Sequence, residues 1–292
     1  MPSVLLAIAL LPVVIPCVVG PSGSANVCKE AARPEESEKA SIPGVTIGTQ
    51  GAGTASATRA PWVESNGSKF LRKPGGKYIY ELPKGKAPLA AAEAFVYQVD
   101  ARLRIAPEDS ARLDSMLAFL KKIPDVPGLK QAVNIAVIDT GSKTIPEVVN
   151  LMVRRNLLCR VVSAPDPSVD LNVRIGSAEF PEAAAANPVA VADKARTMLT
   201  DRKRLLRIYG TETVIARLYT SDNAARIHLL NYSSSTVAGV RVRVRGLYQD
   251  IRLSAFGFEG AKTEDVVVSG DATEFTVPEM SAYAVVDLKK GK

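Results

Sequence analysis

From Glu212 onward the hydrophobic pattern of this 292-residue chain changes period, and that change limits the fold more than any other feature. Before it, apolar residues recur at helical spacing or in short unbroken runs. After it they alternate with polar ones, as on strands with one buried face. Candidate strands are 212–219, 225–231, 237–245, 250–256, 264–268, 272–277 and 281–287. Turn residues separate them at Ser221-Asp222-Asn223, Ser233-Ser234-Ser235, Gly257 to Gly260, Gly270-Asp271 and Pro278. Short strands at roughly ten-residue spacing predict an immunoglobulin-like β-sandwich over residues 209–292.

Residues 61–208 read as α/β. Lys77 to Leu82 has strand composition, Pro88 to Val99 is Ala-rich and helical, and Ala101 to Ile105 forms a further short strand. Leu113, Met116, Leu117 and Leu120 lie on one helical stripe that stops before Pro124. Val133-Asn-Ile-Ala-Val-Ile138 and Leu157 to Val162 are nearly unbroken apolar runs, the mark of strands covered on both faces. Ile145, Val148, Val149 and Met152 give the helix between them, so this unit predicts a parallel crossover. Leu171, Val173 and Ile175 add a strand, and Pro188 to Leu206 a last helix. The fold class expected is therefore α/β followed by all-β: a partial doubly wound parallel sheet, then the sandwich.

The first charged side chain is Lys29, and before it lies the apolar run Val4 to Ile15 followed by small residues up to Ala25. Residues 1–25 thus predict an export signal, or an uncleaved anchor, and a secreted or periplasmic protein. Residues 26–60, poor in large apolar side chains, predict a disordered linker. Removal of the signal leaves Cys28 and Cys159 of the three cysteines. One lies in a polar tail and the other in an apolar run, so no disulfide between these two and no zinc site are expected. The net charge of +7 comes from scattered basic residues, and with 5% aromatics the chain carries no stacking platform for nucleic acid. Membrane contact is expected only through an uncleaved N-terminal segment, and self-association is left open.

No set of residues assembles into an evident catalytic constellation. Val137-Ile-Asp-Thr-Gly-Ser142 resembles the catalytic loop of aspartic proteases, so Asp139 is the candidate for that chemistry, but a second copy is missing and a helix follows. The same loop leaves the carboxyl end of a parallel strand, where α/β sheets bind ligands, which makes Asp139 a candidate binding residue. His228, the one histidine, falls on a sandwich strand and reads as structural. Trp62, Glu64 and Asn66 put an aromatic beside a carboxylate and an amide, a pattern suited to a sugar; Trp62 reads equally as a core plug. Glu81, Glu93 and Asp100 are the further acids for an active glycosidase, with Glu93, in an Ala-rich helix, expected as a surface residue or a polar contact. Asn66-Gly-Ser68 and Asn231-Tyr-Ser233 are glycosylation motifs. No metal or cofactor is implied.

The layout of Ala90 to Ile105, Val133 to Val162, Glu212 to Tyr232 and the closing Val-Val-Asp-Leu288 resembles the back half of modular glycoside hydrolases, notably the family 42 β-galactosidases. That resemblance implies a barrel end, a flavodoxin-like domain related to class I glutamine amidotransferases, and a β-sandwich. A full (β/α)8 barrel takes about 250 residues, and about seventy precede Val133 after the signal and linker. The strands that carry the family's catalytic glutamates have no counterpart, and Cys159 sits in a strand, unlike the amidotransferase nucleophile. The expectation is a shortened, non-catalytic or vestigial relative associated with carbohydrate binding or assembly, with an active glycosidase near Trp62 as the alternative.

Overall fold

The computed structural model describes residues 17–19, 26–29, 37–42 and 63–291. Its first body contains β1 (Cys17–Val19), β2 (Asn26–Cys28), β3 (Glu38–Ala40), α1 (Gly67–Arg72), β4 (Lys77–Glu81), α2 (Ala87–Tyr97), β5 (Asp100–Arg104) and α3 (Ser110–Lys122). The strands form a five-stranded sheet in the order β1-β2-β5-β4-β3, parallel except for β1. Short strands thus fall within the stretches read as leader and linker. Cys17 pairs with Cys28 in register and is bonded to it as a disulfide. A leader ending at Ala25 would carry Cys17 away from this bond. Cys28 thus finds its partner in Cys17 and not in Cys159, which is free and buried.

A second unit follows: β6 (Lys130–Gln131), β7 (Ile135–Ile138), α4 (Ile145–Arg154), β8 (Cys159–Val162), β9 (Leu171–Val173) and α5 (Pro188–Lys203). Strands β8-β7-β9 make a three-stranded parallel sheet, and every residue of β7 is buried, as its unbroken apolar run requires. The α/β part therefore holds two sheets, not one. Helix α5 breaks at Thr200, whose φ of 57° is left-handed, and ends before the expected Leu206.

The remaining strands are β10 (Leu206–Tyr209), β11 (Val214–Thr220), β12 (Ala224–Asn231), β13 (Val237–Arg245), β14 (Asp250–Ala255), β15 (Glu264–Ser269), β16 (Ala272–Met280) and β17 (Tyr283–Lys289). They form a four-stranded sheet, β10-β13-β16-β15, and a five-stranded one, β14-β17-β12-β11-β6, both antiparallel. Alternation along these strands places Ala216, Ile227, Val242, Phe275 and Val286 between the two sheets in one apolar cluster.

The opposite face of the five-stranded sheet is also covered. Ile215, Leu230, Tyr283 and Val285 join the core of the α/β part. Helix α2, which packs on α3, β5 and β12, lies against this face. All its residues from Ala87 to Tyr97 are buried, which explains its Ala-rich composition and lack of a polar face.

Candidate functional site

Glu93 is the one charged residue within α2, and it is fully buried. A carboxylate removed from water requires donors for its oxygens. Asn66 supplies its backbone N–H at 3.1 Å and its side-chain Nδ2 at 3.0 Å. The Tyr80 hydroxyl donates from 3.2 Å, and the Tyr232 hydroxyl, from the end of β12, donates to the other oxygen. Burial raises the carboxyl above its ordinary value, and these donors oppose that shift. Burial, reinforced by Glu93, also pushes both tyrosines well up, so their hydroxyls keep the protons they donate. Glu93 is thus a knot joining α1, β4, α2 and β12: of its two expected places, surface or polar contact, it takes the second.

Asp139 sits at the carboxyl end of β7. Gly141, at a φ of 77°, bends the loop so that its N–H reaches Oδ1 at 2.9 Å, while Arg72 Nε meets Oδ2 at 2.9 Å. Burial alone would raise this carboxyl; the Gly141 N–H and the Arg72 guanidinium outweigh it and hold it below its ordinary value. A carboxylate kept ionised by arginine is unsuited to sharing a proton with a second one, as the protease chemistry demands. Asn66 and Asp139 therefore meet opposite ends of α1, at Gly67 and at Arg72. Glu64 is exposed and acts on its surroundings through charge, helping to raise Glu147 after burial has done most. Trp62 lies outside the described residues. Glu81 is held by Lys39 at 2.7 Å and Arg104 at 3.1 Å. Among the described candidates, Asn66 is thus tied to Glu93, Asp139 to Arg72, and Glu81 to Lys39 and Arg104.

His228 is buried on the α2-facing side of β12. Its Nδ1 shares a 2.6 Å hydrogen bond with the Tyr283 hydroxyl, and Tyr219 and Phe95 pack edge-on against the ring. Burial, with the charges of Arg226 and Arg217, lowers it to about 3, so the ring is neutral near pH 7. Among the described residues no group of His, Cys, Asp and Glu is arranged to hold a metal. No helix there is long and apolar enough to cross a membrane.

A cleft of about 250 Å³ opens where the turn before α2 meets the loop after β12. Lys84, Lys86, Arg112, Ser233, Ser234 and Ser235 contribute to its wall. Gly85, at a φ of 81°, shapes the turn and gives its N–H to Asp109 Oδ2 at 2.7 Å. Asn231 shapes the other side: its Nδ2 donates to the carbonyls of Ser235 and Ser281 at 2.8 and 2.9 Å, and its Oδ1 accepts the Ser233 N–H. With that amide buried and engaged, the Asn231 motif offers no acceptor for a glycan. Lys86 Nζ donates to Ser234 Oγ at 3.0 Å across a sequence separation of 148. In the sequence the serines read as a turn, and neither Lys86 nor Arg112 stands out. The surplus of hydroxyls in Ser233-Ser234-Ser235 is the one visible signal.

No family model matches the chain, and no curated protein matches it in sequence. Solved structures that resemble it are glycoside hydrolases and related sugar-acting enzymes. The α-L-fucosidase isoenzyme 2 of Paenibacillus thiaminolyticus aligns with a TM-score of 0.54 at 7% identity, over 77% of this chain and 63% of that one. The chain thus spans less than two thirds of the fucosidase. A cycloisomaltooligosaccharide glucanotransferase from Paenibacillus sp. aligns at 0.23 and 10% identity, covering 47% of this chain and 26% of its own. The catalytic domain of GH30 xylanase C from Talaromyces cellulolyticus aligns at 0.21 and 10%, covering 56% and 40%. Only the first of these likenesses is close enough to describe a shared fold. The fold class that emerges is mixed α/β with antiparallel sheets, in an arrangement similar to that of the fucosidase.

Proposed function

We propose that this chain is an exported, glycoside-hydrolase-like protein that associates with carbohydrate without cleaving it. On this reading its units correspond to the closing part of a hydrolase of the family 42 type: a barrel end, a flavodoxin-like unit and an immunoglobulin-like sandwich. The observation that carries the reading is that a fucosidase-like fold is kept while Glu81, Glu93 and Asp139 are each engaged by internal partners. A glycosidase needs two carboxyl groups facing one another across a substrate. The cleft between the α/β body and the antiparallel sheets offers hydroxyls and cations for holding a ligand instead. Export is supported by the apolar N-terminal run; with that run retained as an anchor, the Cys17–Cys28 bond fits the same reading, since disulfides persist in oxidising compartments.

The test is a calorimetric screen of neutral and acidic oligosaccharides, α-L-fucosides included, run beside a reducing-end assay. The expected result is heat of binding for at least one saccharide with no new reducing ends. Absence of binding to every saccharide would remove the association. Turnover that disappears in Glu64→Gln would restore the active-glycosidase reading.

A further inference from the structure

The cleft described above has a charge imbalance that its hydroxyls do not resolve. Three cations line it, and their partners differ. Lys84 is paired with Glu108 at 3.3 Å. Among the described residues, Lys86 has only the Ser234 hydroxyl as a partner, and Arg112, exposed on α3, has no acidic one. Asp109, just before α3, is buried and already accepts the Gly85 N–H. Two cations thus reach one concave space with no carboxylate answering them. Burial lowers the Lys86 ammonium, the direction expected when a charge is withdrawn from water without a counter-ion.

The hydrogen-bonding inventory agrees. Ser234 Oγ accepts from Lys86, which leaves its own hydrogen to donate outward. Ser233 Oγ is committed to the Ser235 carbonyl at 2.7 Å, so the loop is held in place without the ligand. An ammonium, a guanidinium and a hydroxyl hydrogen are all donors, which is the complement of an oxyanion and not of a neutral sugar face. The cleft volume of about 250 Å³ is small beside the roughly 300–1,000 Å³ of drug-sized sites, so it suits a single charged unit.

We propose that this cleft is an oxyanion site, formed by Lys86, Arg112 and Ser234, whose ligand is the carboxylate or sulfate group of an acidic saccharide. The saccharide half of this statement rests on the function proposed above; the oxyanion half rests on the cleft alone. The same chemistry could be met by a free inorganic anion, and the experiment separates the two sources.

Calorimetric titration of the full chain would use a uronate oligosaccharide, a neutral oligosaccharide of equal length, and inorganic sulfate. Each would be repeated with Arg112→Gln, Lys86→Gln and, as a control outside the cleft, Lys121→Gln. The uronate oligosaccharide should bind about tenfold or more tightly than its neutral counterpart. Arg112→Gln should weaken it about tenfold, the scale of one lost charge-assisted contact, and Lys121→Gln should not change it. Arg112 is exposed, so its variant remains informative if Lys86→Gln fails to fold. Equal binding of neutral and uronate saccharides, with no effect of Arg112→Gln, overturns the oxyanion site and leaves the carbohydrate reading standing. Sulfate binding that depends on Arg112, without any gain from a sugar, supports the oxyanion site and overturns the carbohydrate reading. No binding of any of the three overturns both.

Discussion

The two antiparallel sheets share one apolar core, yet their other faces meet opposite surroundings. On the four-stranded sheet, Arg241, Arg243 and Arg245 of β13 alternate with buried valines and point toward Asp271 and Glu274. Its edge strand β15 is exposed at every residue, Val266, Val267 and Val268 included, and its pairing slips between Glu264 and Val267. On the five-stranded sheet, Arg217, Arg226 and His228 occupy the corresponding outward positions and are buried. Arg226 is answered by Asp287 on the neighbouring strand, at 2.6 and 3.1 Å, and by the Pro124 carbonyl at 2.7 Å. Arg217 lies 5.1 Å from the Tyr97 ring centroid. The same alternation of Arg with aliphatic residues yields a solvated face in one sheet and an interface in the other. What decides is whether the α/β part lies on top: α2 supplies Tyr97, the segment after α3 the Pro124 carbonyl, and β8 the Cys159 carbonyl.

That contrast breaks most visibly at Glu93, where the knot joins α2 to the covered sheet. Glu93→Ala leaves two buried hydroxyls and the Asn66 donors unpaired and should destabilise by about 4 kcal/mol, read by urea denaturation. Arg226→Met leaves Asp287 without its guanidinium partner and should cost about 3 kcal/mol in the same measurement.

His228 makes the contrast depend on pH. Its folded value lies near 3 while an unfolded histidine titrates near 6.5, so below pH 6.5 the unfolded chain binds the extra proton. Stability from this group is therefore complete above pH 6.5 and is lost as pH falls toward 3, by about 2 kcal/mol at pH 5. His228→Gln should flatten the slope of stability against pH in that window by close to one proton. The smallest effect belongs to the solvated sheet: Arg245→Ala should change stability by less than about 1 kcal/mol, because its ion pair with Asp271 is exposed and such pairs contribute little. A large loss there would erase the distinction between the sheets.

The strands of the C-terminal part are legible in the sequence because a face against a core leaves an alternating record. Residues 237–245 carry that record over the same bounds as β13. Strand β10 does not, since Arg202, Lys203, Arg204 and Arg207 continue a helix-like basic end through Leu206 and Ile208, both of which pack with the sheets. The double covering of β12 is partly visible in Ala225-Arg-Ile-His-Leu-Leu-Asn231, which is too apolar for a half-exposed strand. Glu93 escapes because a lone acid in an Ala-rich helix looks solvated unless the absence of a polar face is weighed. The cleft cannot be read at all: Lys86 and Ser234 meet only through tertiary folding. Cys17 is hidden by an apolar run that reads as a leader.

Glu81, Glu93 and Asp139 serve as internal ties, and on the proposed reading ligand binds at the α2 turn and the serine loop instead. Hydrogen-exchange mass spectrometry with and without a uronate oligosaccharide tests this directly. The account predicts new protection at residues 84–89 and 233–236, with none at 64–72 or 135–142. Protection centred on Glu64, Asn66 and Asp139, with the serine loop unchanged, would contradict it.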